Sequence, residues 1–239
     1  MNLQIKVHGI NILKKKEYKM YTLKEYQDSN YKKYSKSNLP MKYINKDIED
    51  FKILGDEKEK IFNQKNFDMF MDYYKNVEFN LKKGRGIIIS GSVGIGKTLL
   101  LTYLSKKIIE IFEIENLKIQ DAELGIDIKY NKLYYIQTTT LSQMIFSSGL
   151  NEKELNIRRG IKTIACLWID DVSKIQQTKT SIEINFLDDI LRYRELNNLT
   201  TIYTSQVPFE ELINILSIPI YDMIKGSTLQ LVFRGDSQR

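Results

Sequence analysis

Apolar residues in this chain occur in two patterns: short unbroken runs, and longer stretches in which they recur every three or four positions. Residues 87–89 and, within 163–169, residues 164–169 are runs of the first kind, with the length of buried strands, and residues 133–138, 200–204 and 229–233 also read as strands. Between them, residues 57–81 place Ile61, Phe62, Phe67, Phe70, Met71, Tyr74 and Val77 at helical spacing. Before residue 112, Leu100, Leu104, Ile108 and Ile111 form one stripe, widened by Leu101, Ile109 and Phe112. A surface that broad suits a helix packed on a sheet. Further helices are predicted over 139–146, 182–196 and 209–216, the last opened by Pro208. Strands alternating with helices predict a parallel, doubly wound α/β sheet. Leu39-Pro40 marks a boundary, residues 41–54 are short and mixed before Gly55, and residues 113–132 receive no assignment.

The first predicted strand runs into Gly91-Ser92-Val93-Gly94-Ile95-Gly96-Lys97-Thr98, with Leu99 in the helix behind it. This is the G-x-x-x-x-G-K-T pattern of a phosphate-binding loop, in the strand–loop–helix setting the pattern needs. Glycines let backbone N–H groups wrap a phosphate, and the helix N-terminus adds roughly half a positive charge. In such a loop Lys97 reaches the β- and γ-phosphates, and the Thr98 hydroxyl ligates Mg²⁺. The chain therefore reads as a binder of a nucleoside triphosphate.

Such a site needs acids near the metal. The run Leu167-Trp168-Ile169 ends in Asp170-Asp171. Asp170 is the candidate to hold Mg²⁺ through water, and Asp171 to orient or deprotonate an attacking water. The strand end Thr204-Ser205-Gln206 falls on the same edge, where open α/β sheets bind ligands. Gln206 is the candidate to contact the γ-phosphate or position water; the plain alternative is a turn residue before Pro208.

Charge changes the picture at the N-terminus. Residues 1–39 carry nine Lys against Glu17, Glu25 and Asp28, a balance equal to the net +6 of all 239 residues. A basic arm thus precedes a neutral domain of residues 40–239. Lysines interleaved with Tyr18, Tyr21, Tyr26, Tyr31 and Tyr34 suit three uses: gripping nucleic acid, docking on a protein partner, or a solvated helical arm. Residues 7–13 read as one strand or a short helix. His8, the lone histidine, has no neighbouring base or ligand. Cys166, the lone cysteine, sits in an apolar run and excludes an internal disulfide or a Cys-rich zinc site. No apolar run reaches the ~18 residues of a membrane span, and Lys6, His8 and Asn11 interrupt the N-terminal apolar positions. The expectation is a soluble, cytoplasmic protein.

In order and spacing, these elements resemble the AAA+ ATPases of the DnaC/DnaI helicase-loader group and its IstB-like relatives. The resemblance spans residues 38–239. Asn38-Leu39-Pro40-Met41-Lys42-Tyr43 is similar to the segment before the ATPase core. The run ending in Asp170-Asp171-Val172 resembles Walker B, and Thr204-Ser205-Gln206 resembles sensor 1 with Gln for the usual Asn. Phe233-Arg234-Gly235-Asp236-Ser237-Gln238-Arg239 resembles the C-terminal G-x-S-x-R segment, which makes Arg239 the sensor 2 candidate.

The resemblance implies a P-loop parallel sheet flanked by helices, ATP and Mg²⁺ as cofactors, and ATP-dependent self-association. It also implies a role in loading a replicative DNA helicase onto single-stranded DNA, with the arm docking the helicase. The DNA-contacting insertion falls at residues 139–160, where Lys153, Arg158 and Arg159 are the basic candidates. One departure stands out. The family's R-x-x-D-R stretch is here Pro219-Ile220-Tyr221-Asp222-Met223, with neither arginine. Turnover would then be slow, use Arg234 or Lys225, or depend on a partner's arginine. An IstB-like regulator on double-stranded DNA shares every motif, and a non-hydrolysing ATP-binding scaffold fits the altered stretch.

Overall fold

The computed structural model describes residue 34, residues 37–116, 132–146, 160–175 and 182–235, and residue 237. Among the described residues, five strands form one sheet: β1 (Gly86–Ser90), β2 (Leu133–Gln137), β3 (Cys166–Asp170), β4 (Thr200–Ser205) and β5 (Thr228–Val232). Their order is β2-β3-β4-β1-β5, and every neighbouring pair is parallel. The predicted parallel α/β sheet is therefore present.

Continuous apolar runs follow from burial on both faces. On β1, Ile87 and Ile89 join one core while Ile88 joins the other. The alternation repeats on β3, where Cys166 and Trp168 face the first core and Leu167 and Ile169 the second. The first core is closed by α1 (Glu57–Lys75) and α3 (Lys97–Asn116), with Phe70, Tyr73, Leu100, Leu104 and Ile108. The second is closed by α4 (Thr138–Phe146), α5 (Ile182–Leu196) and α6 (Ile218–Ser227) through Leu141, Leu187, Ile190, Ile220 and Ile224. Tyr34 and Leu39 also lie in the first core. Ser37 accepts from the Tyr135 N–H at 3.0 Å, and the Asn38 side chain donates to the Tyr135 carbonyl at 3.0 Å, so this segment lies against β2.

Several boundaries differ from the sequence expectation for local reasons. The helix expected over 57–81 starts with a reciprocal cap between Asp56 and Glu59, but breaks at Asn76. Past the break the Asn80 side-chain amide donates to the Tyr73 carbonyl at 3.4 Å, satisfying a main-chain acceptor at the end of α1. A short α2 (Val77–Lys82) follows. The strand expected from residue 163 begins three residues later, because the Ile164 N–H closes a helical turn on the Gly160 carbonyl at 2.9 Å. The helix expected over 209–216 is a 3-10 turn, Phe209–Asn214. No helix is expected from the sequence at α6. Pro219 sits in its first turn, where a missing N–H costs nothing.

A buried cation also went unread. Arg194 of α5 is 1% exposed. It donates to the Thr201 hydroxyl at 2.8 Å and to the carbonyls of Ile161, Ile164 and Thr200 at 3.0, 2.7 and 2.5 Å. Burial lowers its pKa to about 10, still protonated at neutral pH. One guanidinium thus satisfies the polar backbone where the chain enters β3 and β4, and it ties both strands to α5. Arg194→Ala should cost at least about 3 kcal/mol in denaturant unfolding, because several buried acceptors lose their donor together. Leu196→Ala, at an exposed site on the same helix, should stay within about 0.5 kcal/mol of the parent.

Candidate nucleotide site

Strand register brings the site together. Ser90 lies beside Ser205 and Val232, Gln137 beside Asp170, and Ile169 beside Tyr203, which sets Asp170 level with Thr204. The loop after β1 is held from both sides: the Gly91 N–H bonds the Ser205 carbonyl at 3.2 Å, and the Phe233 N–H bonds the Ser90 carbonyl at 2.9 Å. Gly91 has φ 144°, and a Cβ there would lie 2.3 Å from the Phe233 carbonyl oxygen. Only glycine fits this position. Gly94 and Gly96 also have positive φ, at 87° and 96°.

Ile95 and Leu99 are buried and root the loop in the first core, while Val93 is exposed near its tip. The Ser92 hydroxyl donates to the Gly235 carbonyl at 3.0 Å, so the C-terminal segment runs beside the loop. Lys97 is 9% exposed, and its Nζ donates to the carbonyls of Gly91 and Ser92 at 2.6 and 2.8 Å. Thr98 follows in the first turn of α3.

The two adjacent acids are turned apart. Asp170 accepts from the Thr204 hydroxyl at 2.5 Å and from the Tyr135 hydroxyl at 2.9 Å. Burial and the nearby Asp170 carboxylate raise the Tyr135 pKa, so its O–H stays a neutral donor. Asp171 adopts the left-handed conformation, φ 60° and ψ 60°, uncommon for a non-glycine residue. Its N–H donates to the Thr204 hydroxyl oxygen at 2.7 Å. Its carboxylate accepts from the Ser173 hydroxyl at 2.6 Å and from the Gln206 amide, and pairs with the Lys174 ammonium at 2.9 Å. The bond to Asp171 raises the Lys174 pKa, keeping that ammonium charged.

Lys97, Thr98, Asp170, Asp171, Gln206 and Lys174 line one cavity of about 210 Å³, together with Val93 and Gly94 of the loop. All of these but Lys174 are sequence-predicted, and they are brought together from the ends of β1, β3 and β4. Thr204, Tyr135, Ser173 and Lys174 were not singled out by pattern. Thr204 was visible only as part of a strand end, and Lys174 only as a charge three residues after Asp171. Mg²⁺ bound with phosphates takes one or two protein oxygens and fills its octahedron with phosphate and water. Thr98 and Asp170 in the same cavity fit that demand. Bound there, the ion would neutralise phosphate charge.

Arg239, Lys153, Arg158 and Arg159 lie outside the described residues, as does the arm through residue 33. Arg234 does not serve the cavity: its guanidinium stacks over the Phe62 ring at 4.3 Å, and Asn63 pins its backbone N–H at 2.9 Å. Lys225 is exposed in the last turn of α6. Residues 219–223 lie within that helix, with Met223 packed against the second core.

No protein-family model matches the sequence, and no curated protein matches it. Solved structures do match in fold. A DnaI structure is 19% identical with TM-score 0.57, covering 81% of this chain and 94% of its own. The DnaC helicase loader is 18% identical with TM-score 0.57, covering 80% and 98%. The fold is shared with these DnaI and DnaC structures. A putative primosome component from Streptococcus pyogenes serotype M3 is 16% identical with TM-score 0.58, covering 87% and 98%. Among the described residues, no helix is long and apolar enough to cross a membrane.

Thr204 links both acids of this site, so its loss should be felt by both. Thr204→Val should lower stability by about 1–3 kcal/mol in denaturant unfolding, since the Asp171 N–H loses its acceptor and Asp170 a donor. Thr204→Ser keeps the hydroxyl and should recover most of the loss. A valine variant as stable as the parent would refute the linkage.

Proposed function

We propose that this chain binds MgATP in the cavity between β1, β3 and β4 and works as an ATP-dependent switch in DNA replication. In this role it places a replicative helicase on single-stranded DNA. The observation that carries the reading is the convergence of Lys97, Thr98, Asp170, Asp171 and Gln206, distant in sequence, on one cavity at the carboxyl ends of the strands. The loop N–H groups and the start of α3 would hold the phosphates. Lys97 would exchange its loop carbonyls for phosphate oxygens. Asp171 and Gln206, already bonded to each other, would orient a water at the γ-phosphate. Turnover by the isolated chain is slow in this reading, because residues 219–223 carry no arginine and Arg234 is committed to Phe62.

The helicase and DNA parts of the proposal draw on the names of structures with this fold. They include the DnaC helicase loader, and a replication initiator DnaA bound to AMPPCP and single-stranded DNA. The latter is 18% identical with TM-score 0.55, and the match spans about half of that chain, 51%. The Lys/Tyr-rich residues 1–39 would form the docking arm.

Titration with a fluorescent ATP analogue tests the nucleotide step. The parent should bind, and Lys97→Ala should weaken binding about 100-fold through loss of a charge-assisted contact; unchanged affinity in that variant would overturn the site. Anisotropy of labelled oligonucleotides tests the DNA step. Binding to single strands should strengthen with MgATP and exceed binding to duplex, whereas a duplex preference would favour a regulator of the IstB kind.

A further inference from the structure

Lys174 has no place in the motifs that led to this site, yet it stands at the cavity with Lys97, Asp170 and Asp171. It extends from the 3-10 turn after β3, Val172–Lys174, and its side chain is 54% exposed against 13% for Asp171. Its ammonium pairs with Asp171 at 2.9 Å. Asp171 does not depend on it, because Ser173 and Gln206 donate to the same carboxylate. Lys174 can therefore leave Asp171 without stranding a buried charge. Lys97 is different: it is buried against the loop carbonyls, on the β1 side of the cavity.

The charged side chains among the described residues lining the cavity are these two lysines and two aspartates, which balance. A triphosphate adds negative charge close to Asp170 and Asp171, and the end of the chain nearest Asp171 needs a cation most. A lysine on a flexible stem, with three rotatable donors, suits exchange between a carboxylate and a phosphate.

We propose that Lys174 is the γ-phosphate-reading residue of this site: it rests on Asp171 without nucleotide and moves to the terminal phosphate when ATP is bound. It thereby supplies, from within the chain, positive charge that residues 219–223 lack. This rests on the nucleotide-binding reading above.

The discriminating quantity is the ratio of ADP to ATP dissociation constants, measured by calorimetry with Mg²⁺ on the full chain. Lys97→Ala serves as the binding blank, and thermal melting confirms that each variant folds. Lys174→Ala should weaken ATP about 10- to 100-fold, as for loss of a hydrogen bond to a charged group. ADP, which has no γ-phosphate, should change less than about threefold. Lys174→Arg should restore most of the preference for ATP.

Equal weakening of ATP and ADP, or no change in either, would overturn the assignment while leaving nucleotide binding intact. A second arm separates contact from masking. If Asp171→Asn in the Lys174→Ala background restores the ATP preference, the lysine only screens Asp171, and the proposal fails. A parent chain that binds neither nucleotide removes the nucleotide reading itself, and this inference with it.

Discussion

Two carboxylates in succession at the end of a buried strand are the constraint around which this molecule is arranged. Sharing one set of partners, they would repel each other. The chain resolves this at the backbone. Asp170 continues the strand and takes hydroxyl donors from Thr204 and Tyr135. Asp171 turns into the left-handed region and addresses Ser173, Gln206 and Lys174 instead. The Thr204 hydroxyl binds both halves of this arrangement, donating to Asp170 and accepting from the Asp171 N–H. That bridge exists because β4 lies beside β3 in a register that sets Thr204 level with Asp170. The left-handed residue costs on the order of 1 kcal/mol, and three donors around its carboxylate offset that cost.

The sheet order makes this constraint functional. With β4 between β3 and β1, the acids stand one strand away from the loop that carries Lys97. Gly91 bonds to Ser205 on the same β4 strand that ends in the Thr204–Gln206 edge. A displacement of β4 would therefore disturb the loop and the acids together. Arg194 stabilises the other end of β4 by bonding the Thr200 carbonyl and the Thr201 hydroxyl.

The sequence was most informative where burial on two faces left only apolar residues. Ile87-Ile88-Ile89 and Leu167-Trp168-Ile169 show their role without any neighbour, and the glycine spacing of residues 91–98 shows the loop. It was least informative where one local bond decides the geometry. The helix expected over 57–81 breaks at Asn76, where Asn80 takes the Tyr73 carbonyl, and residues 160–163 take up a helical turn ahead of β3. Pro219 stands in the first turn of α6, a helix not expected from the sequence. The residues missed at the site share a cause. Thr204 and Tyr135 act on the acids across strand neighbours, and Lys174 acts around a left-handed turn, so the relevant proximity is absent from linear spacing.

A nucleotide switch needs groups whose contacts differ between the bound states, since equal affinity for both states shifts nothing. Two parts of this structure have that property. The Lys174–Asp171 pair can be broken without stranding Asp171, as its remaining donors show. The second part is the contact between the loop and the C-terminal segment. Ser92 donates to the Gly235 carbonyl, and a Cβ on Gly94 would meet the Ser237 hydroxyl oxygen. A ligand seated in the loop would therefore lie near the chain after β5 as well as the acids after β3. Arg234, in that same segment, stacks on Phe62 of α1, and Asn63 holds its backbone from both sides. The loop thus connects to the first-core helices through bonds that do not pass through the sheet. In the proposed role, a change of nucleotide would reach two surfaces: the β3–β4 edge, and the face formed by α1 and residues 233–235.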